Sequence, residues 1–173
     1  MRFDTTAINI KAKDDFILQI PTSSRGSSDF AKIQSVTGND VVFNLNSVTI
    51  GSNTYSHPTI AINTQYVYIF KRENGKLFLK IINTANSSDI TKHSVVMDFT
   101  EIKASDFELP LNTYVYYFGP YSNGVRYFGD CNIDATFGTN QGVSFDLRYF
   151  ILKHKNNFYS LFSKEVVSDH VLF

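Results

Sequence analysis

The chain has 173 residues, enough for one domain whose core needs neither metal nor disulfide support. Sixteen Lys and Arg cancel 16 Asp and Glu, and no basic stripe is present, which argues against nucleic acid as a partner. The single cysteine, Cys131, excludes an intrachain disulfide framework, and no apolar run approaches the roughly 20 residues that span a bilayer, so membrane insertion is not expected.

In chain order, Ala7–Lys11 and Phe16–Ile20 read as strands, with Pro21 expected to end the second because its ring removes a ladder donor. Thr22 to Asp29 is small, polar and loop-like. Phe30–Val36 and Asp40–Leu45 read as a hairpin across Thr37-Gly38-Asn39, and Ser47–Ile50 with Thr54–Tyr55 as another across Gly51-Ser52-Asn53. His57-Pro58 closes that section.

Two Asn-Gly dipeptides then mark hairpins, because both central residues of a type I′ turn need positive φ. Tyr66–Phe70 is followed by Asn74-Gly75 and Lys76–Ile82; Tyr114–Phe118 is followed by Asn123-Gly124 and Val125–Phe128. In the first, Gln65, Val67, Ile69 and Lys71 share one face, and Tyr66, Tyr68, Phe70 and Arg72 the other. Asn83 to Asp89 is a polar loop and Ser94–Phe99 a strand. A helical turn is expected between Thr100 and Leu109, stopped by Pro110. Cys131–Phe137, Val143–Lys153, Phe158–Ser163 and Val166–Phe173 complete the strands, with a turn at Asn156-Asn157. A dozen or so short strands without a long helix predict an all-β fold, an antiparallel β-sandwich of jelly-roll type, as a single domain over residues 1–173.

Residue chemistry points to binding more than to reaction. Charged residues make up 18% of the chain, below the usual figure of about 25%, and Ser, Thr and Asn fill the difference. That surface suits fibre proteins, lectins and adhesins. Tyrosine pairs a flat ring for stacking on sugar C–H faces with a polar tip, so Tyr117, Tyr121 and Tyr127, with Asn123 beside the hairpin tip, form the candidate ligand set. Asp130, Asn132 and Asp134 place oxygen ligands at alternate positions, the chemistry calcium prefers. The EF-hand form fails, because Ala135 stands at the sixth position and Gln141 at the twelfth. No cofactor other than such a calcium ion is implied. None of His57, His93, His154 and His170 has a second His or Cys at metal-ligand spacing, and His154, between Lys153 and Lys155, is expected to be exposed. Glu101, Asp106 and Glu108 are close in sequence but lack a glycosidase-like arrangement.

Tyr66–Arg72 with Asn74-Gly75 and Leu77–Ile82, and later Gly142-Val143-Ser144-Phe145-Asp146-Leu147-Arg148-Tyr149, resemble the laminin-G/concanavalin A-like sandwich of phage and bacterial surface proteins, over roughly residues 60–153. The resemblance implies that fold. The Leu-Ser-x-x-Glu helix of such domains is replaced by Lys153-His154-Lys155-Asn156-Asn157, and their metal and sugar residues do not carry over to named positions.

The leading expectation is a non-catalytic phage virion adhesin or carbohydrate-binding module, engaging a cell-surface glycan and multiplied by homo-oligomerisation, a trimer suiting a fibre. One alternative is a structural virion protein of capsid, neck or tail that acts through protein interfaces. Its clue is the apolar end, with Val171, Leu172 and Phe173 as candidate interface residues. Another is a polysaccharide-degrading enzyme. Met1-Arg2-Phe3-Asp4 begins no apolar signal region, so a virion, or the cytoplasm of the producing cell before release, is the expected location.

Overall fold

The computed structural model describes residues 2–7, 14–23, 31–35, 41–87, 89–102, 114–118, 125–128, 131–134, 151–160 and 172–173. The fold is all-β, and every strand pairing among the described residues is antiparallel. The strands are β1 (Arg2–Ala7), β2 (Phe16–Ser23), β3 (Ala31–Ser35), β4 (Val41–Phe43), β5 (Ser47–Ile50), β6 (Asn53–Ser56) and β7 (Gln65–Glu73). They continue as β8 (Lys76–Asn83), β9 (Ser94–Ile102), β10 (Tyr114–Phe118), β11 (Val125–Phe128), β12 (Cys131–Asp134), β13 (Ile151–His154) and β14 (Asn157–Ser160). One sheet has the order β1-β10-β11-β12-β3-β4-β5-β6; the other runs β14-β13-β2-β7-β8-β9. The only helix among the described residues is a single 3-10 turn, Ile90–Lys92, and none is long and apolar enough to cross a membrane.

Strand β7 shows how composition becomes packing. Its alternation puts Tyr66, Tyr68 and Phe70 on one face and Val67 and Ile69 on the other, and all five are buried. The first face joins Phe16, Leu18, Ile20, Leu79 and Ile81 of its own sheet to Val41, Phe43, Val48 and Ile50 of the other in one apolar cluster. The Phe43 ring meets Tyr68 edge-on at 4.9 Å and Phe70 at 6.3 Å, geometries the ring quadrupoles favour. On the outer face Val67, Ile69 and Ile82 are covered in part by Leu172 and Phe173. Apolar cover on both faces explains why this strand is a continuous hydrophobic run rather than an alternating one. Burying side chains of this size stabilises the fold by about 1.5–3 kcal/mol each.

The turns obey their residues where the pairing is local. Asn74 and Gly75 both have positive φ, 52° and 75°, so the β7–β8 hairpin closes with Glu73 opposite Lys76 as the dipeptide requires. Ile50 pairs with Asn53, which leaves Gly51 at φ 58° as the first of two turn residues. The β13–β14 turn lies one residue earlier than Asn156-Asn157: His154 pairs with Asn157, and Lys155 takes the positive φ of 57°.

Other expectations change. Pro21 does not end β2, which runs on to Ser23 with Pro21 opposite Val67. The described part of β13 faces Phe16 to Gln19, and β7 pairs with β2 from Phe16 to Ser23. In β10–β11, Val115 faces Phe128 and Tyr116 faces Tyr127. The pairing agrees with the expected hairpin, and its Asn123-Gly124 turn lies outside the described residues. Pairing of β10 with β1 and of β11 with β12 constrains the register from both sides. Strand β9 extends through Thr100 to Ile102, where the helical turn was expected to begin; residues 103–113 lie outside the described set, as do 135–150 and 161–171.

Candidate functional site

One end of the six-stranded sheet carries a groove of about 520 Å³, within the range of small-molecule sites. Three segments meet there: the start of β2 at Asp14 and Asp15, the end of β7 from Lys71 to Glu73, and the β13–β14 hairpin from Lys153 to Asn156. Strand register brings them together. His154, Phe16 and Arg72 are cross-strand neighbours on the core-facing side; Lys153, Ile17 and Lys71 form the next row on the outer side.

His154 is 4% exposed, which corrects the expectation of an exposed turn histidine. Its Nε2 lies 3.1 Å from Asp14 Oδ2, a contact between residues 140 apart in sequence. Its flanking lysines are at the surface, but the pleat turns the histidine towards the core, where a carboxylate from a distant strand meets it. Arg72, 6% exposed, sets its guanidinium 5.5 Å from the Phe16 ring centroid, a cation–π contact that lets a buried charge sit beside an apolar residue. The Asn74 backbone N–H donates to Asp15 Oδ1 at 3.2 Å, and Lys71 Nζ lies 3.4 Å from Glu73 Oε2.

Four permanent cations, Lys71, Arg72, Lys153 and Lys155, thus surround three carboxylates, Asp14, Asp15 and Glu73. Each carboxylate has a partner within the protein. Such a site can donate to and accept from a polar ligand. Among the described residues, no Ser, Thr or Cys nucleophile lines it. Among the described residues no group of three or more His, Cys, Asp or Glu could hold a metal ion.

A second polar pair is buried at the core. His57 Nδ1 lies 2.8 Å from the Pro58 carbonyl, which can only accept, so Nδ1 carries the proton. Nε2 of the neutral ring then accepts from the Tyr68 hydroxyl at 3.2 Å. Burial pushes the His57 pKa below its ordinary value, against the opposing effect of the Pro58 and Ser47 backbone groups. Burial, with the charge of Tyr66 adding to it, drives the Tyr68 pKa well above the usual range, so its proton stays in place. With Tyr68 wholly inside the core, this pair seats the segment after β6 and does not face a ligand.

The residues singled out from sequence stand elsewhere. Tyr117 is on β10 and Tyr127 on β11. Tyr121 and Asn123 lie outside the described residues, as do Asp130 and Val171. Asn132 and Asp134 lie on β12. Leu172 and Phe173 pack half-buried on the outer face of the six-stranded sheet: the Leu172 N–H donates to Gln19 Oε1 at 2.7 Å, and Phe173 stacks on Phe158 at 6.1 Å. Of the three clustered carboxylates, Glu101 lies exposed on β9; Asp106 and Glu108 are outside the described set. The groove residues were readable only as scattered charges. Asp14-Asp15 and Lys153-His154-Lys155 read as solvated turns, and nothing local signals that they meet.

No family model matches the chain, and neither a curated protein nor a solved structure matches it.

Proposed function

We propose that this protein is a non-catalytic carbohydrate-binding module whose ligand lies in the groove between β2, β7 and the β13–β14 hairpin, and that it serves attachment on a virion surface. We infer further that its two sheets form a β-sandwich of the jelly-roll or concanavalin A-like kind. The observation that carries the reading is the groove itself: polar side chains from three separate segments converge on one end of a packed sheet. Sugar hydroxyls both donate and accept, and Asp15, Glu73, Lys155 and Asn156 offer both roles there. Phe43 of one sheet against Tyr68 and Phe70 of the other supports the sandwich arrangement. The low charge content and the Ser, Thr and Asn richness support an attachment surface.

The test is a glycan array probed with the intact chain, followed by titration of any hit against Asn156→Ala and Asp15→Ala. Binding that falls in both variants supports the reading; a flat array, or hits indifferent to both substitutions, rejects it. A structural virion component is the second reading. It is favoured by β9, a nine-residue terminal strand of its sheet on which Val95 is 56% exposed. Solution mass tests it: a stable homo-oligomer, trimeric in a fibre, that dissociates on Val95→Lys supports assembly through that edge, and a monomer at all concentrations removes it.

A further inference from the structure

We infer that the groove is selective for acidic saccharides, with Lys153 and Lys155 reading the ligand's carboxylate and Phe158 stacking on the adjoining ring. This rests on the binding role proposed above and adds the chemical class of the ligand. Charge accounting within the groove points to it. Asp14 is held by His154, Asp15 by the Asn74 N–H and Glu73 by Lys71. Of the other cations, Arg72 is buried against Phe16, and Lys153 and Lys155, both on the hairpin, have no carboxylate partner among the described residues. Two ammonium groups on one hairpin, two residues apart, repel each other and gain from an anion placed between them.

The backbone adds an independent observation. Lys155 has φ 57°, in the left-handed region where glycine is the residue of least strain. Ala85 takes the same conformation, so the strain alone assigns no role, but the β13–β14 turn places the exposed Lys155 at the groove mouth.

The platform lies alongside. Phe158 is 58% exposed, directly opposite Lys153 across β13–β14, with the Lys153 ammonium 5.3 Å from its ring centroid. Phe173 backs the ring in a nearly parallel stack, at 16° between planes, which holds it in place from one side. A sugar ring on Phe158 would bring its carboxylate to the Lys153 ammonium, while Asn156 meets hydroxyls.

Calorimetric titration of the full chain tests this with three acidic oligosaccharides (galacturonate, alginate and hyaluronan), neutral gluco-oligosaccharides of matched length, and sodium sulfate. The expected result is binding of at least one acidic series, weakened by salt, absent for the neutral series, and reduced about fivefold or more by Lys153→Ala, Lys155→Gly and Phe158→Ala. Lys155→Gly relieves the turn, so its thermal midpoint holds or rises and lost binding cannot be laid to unfolding. Neutral oligosaccharides that bind as well, with no effect of the lysine substitutions, overturn the inference and leave the groove as a sugar site. Sulfate that competes fully at equal concentration also overturns it, reducing the site to a general anion site. Absence of binding to every saccharide overturns the inference together with the role it rests on.

Discussion

Replacing Tyr68 by Phe removes one oxygen from the centre of the molecule and leaves the ring in place. Tyr68 is 0% exposed, its ring packs edge-on against Phe43, and its hydroxyl donates to His57 Nε2 at 3.2 Å. The apolar contacts of the ring survive, so the loss is confined to the hydrogen bond. His57 cannot turn away to find another donor, because Nδ1 is tied to the Pro58 carbonyl at 2.8 Å and the residue is 8% exposed. Its Nε2 lone pair is left buried without a partner, which costs about 1–3 kcal/mol, more than the roughly 1 kcal/mol of an average intramolecular hydrogen bond. With a urea slope of about 2 kcal/mol/M, the midpoint falls by about 1 M for a loss of 2 kcal/mol, with the slope unchanged. Urea titration at pH 8, followed by far-ultraviolet circular dichroism, reads this directly. Tyr66→Phe is the comparison: its oxygen accepts only the Ala61 N–H, at a part-buried site that water can reach, so its loss is smaller. A Tyr68→Phe midpoint within about 0.2 M of the wild type, too small for the lost bond at that slope, would refute the assignment of a buried Tyr68–His57 bond.

The same histidine sets a pH dependence. Burial lowers the His57 pKa in the folded state, so above about pH 6.5 neither state is protonated and its contribution to stability is complete. As pH falls below 6.5, the unfolded chain binds a proton that the folded chain resists, and stability drops by up to about 1.4 kcal/mol per unit until the folded pKa is reached. His57→Gln is expected to flatten that limb between pH 7 and 5, seen as urea midpoints that no longer track pH as the wild type's do. At the groove, Asp14→Ala leaves the nearly buried His154 without its acceptor and is expected to destabilise by about 1 kcal/mol, the partial exposure of Asp14 limiting the effect, while Asp14→Asn keeps an acceptor oxygen and most of the stability. Equal denaturation midpoints for the two variants would contradict the 3.1 Å contact. Deleting Leu172 and Phe173 uncovers Val67, Ile69 and Ile82 and strips Gln19 Oε1 of its donor, an expected loss of about 2 kcal/mol by thermal or urea unfolding. A deletion that leaves stability intact but lowers the solution mass would show those residues serving a partner instead.

Much of the architecture is legible along the chain because it is set by neighbours. Asn74-Gly75 needs only its own φ preferences to bend β7 into β8, and the alternation of Tyr66, Tyr68 and Phe70 against Val67 and Ile69 needs only the two-residue period of a strand. Pro21 and His154 depart from what their neighbours imply for one shared reason: a proline's place within a strand and the burial of a turn histidine both depend on partners distant in sequence, the latter on a carboxylate 140 positions away. The binding site followed the same division. Asp14, Arg72 and Lys155, unremarkable where they stand, share one groove.

The amino-acid order alone determined that this chain forms antiparallel strands, since turn chemistry and side-chain alternation are properties of adjacent residues. Only the tertiary structure decided where charge collects. The approach of β2, β7 and β13 is a long-range pairing, driven by burial of apolar side chains that carry no record of which polar groups will be brought together at their ends.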